Sequence, residues 1–423
     1  MLLFSRLRSN SSHLLWIVAF TLAAASKASA KELKGDLDFL LDLPSAYNLT
    51  PADLDARFPK GDWQRNPYFT WLTEEHNRAI FQTKRLDDLT VLFTLGGGTV
   101  PLEEAIVDFE DGKFLGITIS IYNRGDGGTI TPADFKTRFT TMGKHLGTVL
   151  ACSPVRREAK PTVGLLTDGF VWVSARGKAV LEHNPEADDD KVDVEFLRLR
   201  LARREAGGAY EAATQAKPGA TVTLSQLPAN VKTHPSGATY ISGIPMVDQG
   251  NKGYCTVATT QRLFEYYGIV CDMHQLAQIA GSDPEKGTNS LTINEELGAI
   301  DHLFKTRFEC LALRHTTGLV ELVENKYVGD PVPESRFNGF IEKYIKEGIP
   351  LLWSLEVGVY PEDPPLKNQS GGGHMRMIIG FDEANQKIVF SDSWGAGHEF
   401  KTMAKKDVFK ATTGLFVMKP TVR

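Results

Sequence analysis

Between Gly207 and Thr239 the composition turns to Gly, Ala, Pro, Thr and Lys, with one short apolar interruption at 222–227. Such a stretch builds no core of its own, so it reads as a connector that divides the chain. The 423 residues exceed what one hydrophobic core normally serves, which makes two folded parts the natural expectation. The divisions are 31–209 for a first domain, 210–239 for the connector and 240–423 for a second domain. With 42% hydrophobic and 23% charged residues there is enough apolar material for both cores, and no internal repeat replaces them with a solenoid. The formal charge is -5 and no Lys/Arg block forms a nucleic-acid track, so the expected partners are peptides, proteins or small amides.

Residues 1–30 read as an address. Arg6 and Arg8 precede an apolar run at 14–25, and Ala28-Ser29-Ala30 supplies small residues where a signal peptidase cuts. The run is shorter than the roughly 20 residues of a spanning helix, which favours a cleaved signal and an exported, periplasmic or extracellular protein without a stable membrane span. The four cysteines, Cys152, Cys255, Cys271 and Cys310, include no CxxC pair, so structural zinc is not indicated. One disulfide is the most that remains if one thiol stays reactive, and Cys271 with Cys310 is the pairing their shared domain suggests.

The first domain reads as α+β with an antiparallel sheet. Residues 68–85 have a helical reading; strands are expected at 89–95, 102–109, 114–122, 163–175 and 192–202, and a helix should follow the Thr131 cap and Pro132. Gly96-Gly97-Gly98 lacks the Lys-Ser/Thr of a phosphate loop and reads as a turn. Residues 123–128 offer oxygen ligands but neither the spacing nor the closing Glu of a calcium loop, and they too read as a turn after a strand.

Chemistry gathers at the front of the second domain. An extended, Gly-bearing approach from Ile244 ends at Cys255, where a helical pattern begins with Val257, Thr260, Phe264 and Tyr267 on one face. A thiol at a helix start sits beside unfilled backbone N–H groups and the positive end of the macrodipole, which favour thiolate. Gln249, six residues upstream, is placed to offer its amide to the oxygen of an attacked carbonyl. Gly371-Gly372-Gly373-His374 leads into a strand, and a turn at 382–386 returns the chain through a second strand to Asp392. Antiparallel pairing would bring Asp392 beside His374, orienting the imidazole toward Cys255. The other histidines of this domain, His274, His302, His315 and His398, fall in helices, in a loop or past a glycine turn.

In this order, Gln249, then Gly253-Tyr254-Cys255, Gly373-His374 and Asp392-Ser393-Trp394-Gly395, the sequence resembles the papain-like superfamily and, within it, the C39-like peptidases, over about 240–418. The resemblance implies an α+β papain-like domain, with Cys255 as nucleophile, His374 as base, Asp392 as its orienting group and Gln249 in the oxyanion hole. Papain carries Asn where this chain has Asp392, and Trp where it has Thr256, so cathepsin-like specificity is not implied. The implied activity is hydrolysis of peptide or amide bonds, needing no metal or organic cofactor. A transglutaminase- or amidase-type acyl transfer would use the same groups, and a catalytically silent binding protein is the reading of a different class. Trp394 either shields the His374–Asp392 bond or packs the core. Asp392→Asn, close in volume, is expected to keep the fold and still hold His374 through its amide oxygen.

Overall fold

The computed structural model describes residues 31–422 except 59–68, 86–88, 161–166, 185–186, 189–190, 193, 216–218, 281, 283, 285–286, 288–296, 300, 324–326 and 367–370. The proposed signal at 1–30 lies outside the described residues.

The first domain is built on an eight-stranded antiparallel sheet whose middle strands are Glu104–Glu110, Lys113–Asn123, Phe196–Ala202 and Gly177–His183. A smaller sheet pairs Lys31–Asp36 in parallel with Leu89–Leu95. Between the layers lies an apolar core that includes Phe81, Phe93, Ile117, Leu146, Trp172 and Leu199. Thr131 caps the helix Pro132–Leu150, its side chain accepting from the Asp134 N–H at 3.2 Å, and Phe135 and Leu146 turn inward as their spacing requires. The three glycines at 96–98 all have positive φ, and two of their N–H groups bind the Asp38 carboxylate, an arrangement only a turn without side chains provides.

The helix expected at 68–85 is not formed. Thr70–Trp71, Arg78–Gln82 and Lys84–Arg85 are strands instead, the second running against Glu104–Glu110 from Arg78↔Asp108 to Gln82↔Glu104. Ala79, Ile80 and Phe81 are all buried, so both faces of this strand are covered; His76, at φ 53°, interrupts any helical run. A continuous apolar triple distinguishes a doubly covered strand poorly from a helical turn.

The stretch expected as connector is divided between the domains. Helix Gly208–Gln215 lies on the first sheet, where buried Tyr210 donates to Asp108 at 3.0 Å. Strand Val231–Thr233 pairs with Thr239–Ile241, which joins the sheet of the second domain beside Gly372–Asp382. That sheet has ten strands, with Gly372–Asp382, Leu351–Val357 and Thr412–Pro420 at its centre, all antiparallel. The hairpin read from sequence is present: Gly372–Asp382 pairs with Lys387–Ser391, Met377 opposite Ser391. Helix Cys255–Tyr266 packs against it, the Thr259 hydroxyl donating to the Met375 carbonyl at 3.2 Å. This helix is buried nearly all round rather than along one stripe; Arg262, at 1% exposure, is inside as well. Both domains are therefore α+β. Among the described residues no helix is long and apolar enough to cross a membrane.

A polar seam joins the domains. Arg78 bridges Asp108 of its own sheet at 2.6 Å and Glu265 of the second domain at 2.8 Å, and Arg198 pairs with both Glu182 and Asp272. A cavity of about 60 Å³ lies along the seam, lined by Arg78, Glu104, Arg198, Arg200, Gln261 and His274 among others. Glu182, 2% exposed, is held by Arg157, Arg198 and Arg200. Burial pushes its carboxyl up, but the three guanidiniums overcome that and hold it well below the usual range. A depressed carboxyl stabilises the fold above its ordinary pKa, so this contribution is lost as pH falls below about 4.3. Glu182→Gln leaves three buried guanidiniums short of their shared counter-charge and is expected to cost about 3–5 kcal/mol in urea unfolding at neutral pH. A loss under about 1 kcal/mol would show that the seam does not depend on it.

Candidate active site

Cys255 opens its helix directly after the N-cap residue Tyr254, whose side chain makes no cap hydrogen bond, and its thiol is partly exposed. His374 enters from the central strand with only 7% of its surface exposed. Its Nε2 lies 2.7 Å from Asp392 Oδ1, and Asp392 is fully buried. The imidazole also acts on the Cys255 sulfur, each group shifting the other's proton affinity. With Nε2 committed to Asp392, Nδ1 is the ring nitrogen left for the sulfur. The sulfur lies 3.9 Å from the Thr256 hydroxyl.

These contacts set the proton inventory. Burial would push the Cys255 thiol up, yet the hydrogen bond and charge of His374 bring it below its ordinary value. Burial likewise opposes a charge on His374, but Asp392 and then Cys255 raise it to about 9. Asp392 is held below the carboxylate range in spite of its burial, by His374 and Arg376. Both shifts favour thiolate beside imidazolium over thiol beside neutral imidazole. The raised histidine contributes stability that is complete below about pH 6.5 and lost as pH rises through about 9.

Gln249 is 5% exposed and fixed on three sides. Its backbone N–H donates to the Ser393 carbonyl at 2.9 Å, its Oε1 accepts from the Ser393 hydroxyl at 2.6 Å, and its Nε2 donates to the Lys252 carbonyl at 2.9 Å. The Ser393 N–H in turn donates to Asp392 Oδ1 at 2.9 Å. Gln249, Asp392 and His374 are thus joined through Ser393 in one hydrogen-bonded set, and Cys255 interacts with its histidine. Trp394 stacks on the His374 ring at 4.3 Å between centroids, covering the face that would otherwise admit water to the His374–Asp392 bond.

Three supporting groups went unread in the sequence. Arg376, fully buried, donates from Nε to Asp392 Oδ2 at 2.7 Å and from Nη1 to Glu362 at 2.7 Å, and Glu362 also binds Lys401. From a protonated His374 to Lys401, the charges alternate in sign without a break. Arg262, on the Cys255 helix, ties that helix to the Asp392 segment through the Asp392 carbonyl at 2.7 Å and Ser391 Oγ at 2.6 Å. The signal for Arg376 was available: on a strand it is two residues from His374, so the two share a face. Nothing local marks Glu362 or Arg262.

The remaining cysteines stay apart from this site. Cys271 and Cys310 are buried free thiols, each pushed up to about 12 by burial, so the pairing suggested for them is not made. His274 is buried near the domain seam and held neutral, lowered to about 3 by burial. His398 faces Trp394 edge-on rather than the thiol, and its carbonyl accepts the Asp392 N–H. Among the described residues no cluster of His, Cys, Asp or Glu has a metal-binding arrangement.

A thiol-bearing helix thus lies against the central strands of an antiparallel sheet, with the histidine on one of those strands. Residues 241–415 match the Peptidase_C39 like family, in agreement with the resemblance carried by the motifs. The first domain lies outside that match. No curated protein matches the chain significantly. Among solved structures, the chain is similar to the crystal structure of Xylellain, a cysteine protease from Xylella fastidiosa. Identity is 15%, the alignment covers 49% of this chain and 93% of that one, and the TM-score is 0.24.

Proposed function

We propose that the protein is an exported cysteine peptidase that hydrolyses peptide or amide bonds through Cys255, His374, Asp392 and Gln249. The observation that carries this reading is the buried His374–Asp392 bond beside Cys255, with the thiol lowered and the imidazole raised. The thiolate attacks the substrate carbonyl carbon, and the carbonyl electron pair moves onto oxygen. That oxyanion is met by the Cys255 backbone N–H and by the Gln249 amide, one of whose two N–H groups is already spent on Lys252. Collapse of the adduct expels the amine, which takes its proton from His374 Nδ1 and leaves a thioester. Water then attacks the thioester, His374 takes the water's proton, and release of the carboxylic acid product regenerates the thiolate.

Digestion of a peptide library by the mature chain, with Cys255→Ala as control, tests the assignment. Cleavage products that vanish in the control are expected; equal cleavage by both proteins would remove Cys255 from the chemistry. Export is supported by the Arg6, Arg8 and Ala28-Ser29-Ala30 pattern. Retention of the first domain in the exported protein is supported by its length, by its own core and by the charged seam. Mass spectrometry of exported material should find the chain starting near Lys31, and a dominant species starting near Tyr240 would contradict retention.

A further inference from the structure

The loop that carries Gln249 is gripped by the first domain. Lys252, whose carbonyl accepts the Gln249 amide, turns its side chain away from the site and into the seam, where only 4% of it is exposed. Its ammonium lies 2.6 Å from Asp126 Oδ2. Asp126 belongs to the short helical turn Arg124–Gly127, which follows the strand Lys113–Asn123 of the first sheet. That turn is itself anchored: Asn123 Oδ1 accepts the Asp126 N–H at 2.8 Å, and the Arg124 N–H donates to the Glu195 carbonyl at 2.8 Å. Gly125 lies so close that a Cβ there would stand 2.6 Å from Lys252 Cδ and 3.1 Å from the ring of Tyr254, the residue before Cys255.

We propose that Asp126 is a positioning residue for the peptidase site: through Lys252 it fixes the Gln249 amide, so the first domain completes the oxyanion hole of the second. This rests on the peptidase reading above and assigns the first domain a part in it. The physical case is one of tolerance. A donor must meet the developing oxyanion within a few tenths of an ångström. Ser393 holds the Gln249 backbone and amide oxygen, but the donating nitrogen is set by the Lys252 carbonyl, in a loop bearing glycines at 250 and 253. The Lys252 ammonium, tied to a carboxylate on the turn that ends a strand of the first sheet, steadies that carbonyl. The anchor acts on the oxyanion and leaves the Cys255–His374 pair alone, because that pair is held by Asp392, Arg376 and Trp394.

The two functions separate with two reagents. Peptide hydrolysis develops an oxyanion, whereas alkylation of Cys255 by a haloacetamide displaces halide at a saturated carbon and needs only the thiolate. In the full mature chain, Asp126→Ala is expected to lower kcat by about 10- to 100-fold while KM and the alkylation rate stay within about twofold. Asp126→Asn, whose amide oxygen still accepts from Lys252, should recover most of kcat. Should Asp126→Ala fail to fold, Lys252→Met, which keeps the backbone carbonyl and the apolar stem but removes the ammonium, should show the same split. Unchanged kcat in the folded variants, or hydrolysis and alkylation falling together, would overturn the positioning role. Absence of Cys255-dependent hydrolysis in the wild-type chain would instead remove the peptidase reading and this role with it.

Discussion

His374→Ala is expected to lower the acylation rate by about a thousand- to ten-thousand-fold with the fold intact. Two losses combine. Without the imidazolium, burial is left as the dominant influence on the Cys255 thiol and returns it to, or above, its ordinary range, so little thiolate remains at neutral pH. The departing amine also loses its proton donor. In the wild-type protein the pH–rate profile should rise through a pKa below the usual thiol range, as Cys255 ionises. It should fall near 9, where the raised His374 gives up the proton the leaving group needs. Pre-steady-state acylation measured across pH checks both limbs. A His374→Ala protein that acylates within tenfold of wild type would leave Cys255 activated by another group.

Asp392→Ala is expected to lose nearly as much activity and, in addition, to lose stability. The sequence alone suggests that Asp392→Asn is mild, because the volume is kept and the amide oxygen still faces His374. Arg376 changes that expectation. Asp392 offers Oδ1 to His374 and to the Ser393 N–H, and Oδ2 to Arg376 Nε. An asparagine that keeps its oxygen toward His374 must turn its NH₂ toward the Arg376 Nε–H, setting donor against donor in a site with no exposure. The guanidinium would keep only Glu362, which it already shares with Lys401. Removing the carboxylate should therefore cost about 3–5 kcal/mol in Asp392→Ala and a substantial part of that in Asp392→Asn, read by urea unfolding. Acylation should still separate the two, Asn retaining more than Ala because its oxygen orients the imidazole. Wild-type acylation by folded Asp392→Ala would remove Asp392 from the site.

What the sequence disclosed follows from how local each signal was. The Cys255 helix start, the His374 strand and the return to Asp392 are consecutive runs with their own period and turn residues, and the paired strands stand opposite one another as the alternation requires. Strand 78–82 was misread because its apolar residues face cover on both sides, a tertiary circumstance that erases the period of two. Glu362 lies 30 residues from Asp392 and Asp126 lies 126 residues from Lys252, so no spacing rule joins them. The turn at 123–128 looked bland for the same reason: its contact is with the other domain.

The central claim is that Cys255 exists as a thiolate stabilised by His374. The direct measurement is the rate of haloacetamide alkylation of Cys255 as a function of pH, followed by intact mass. An inflection below the roughly 8.5 of a free thiol in the wild-type chain, moving upward in His374→Ala, is the predicted result. An inflection at or above that value, unmoved by loss of the imidazole, would contradict it.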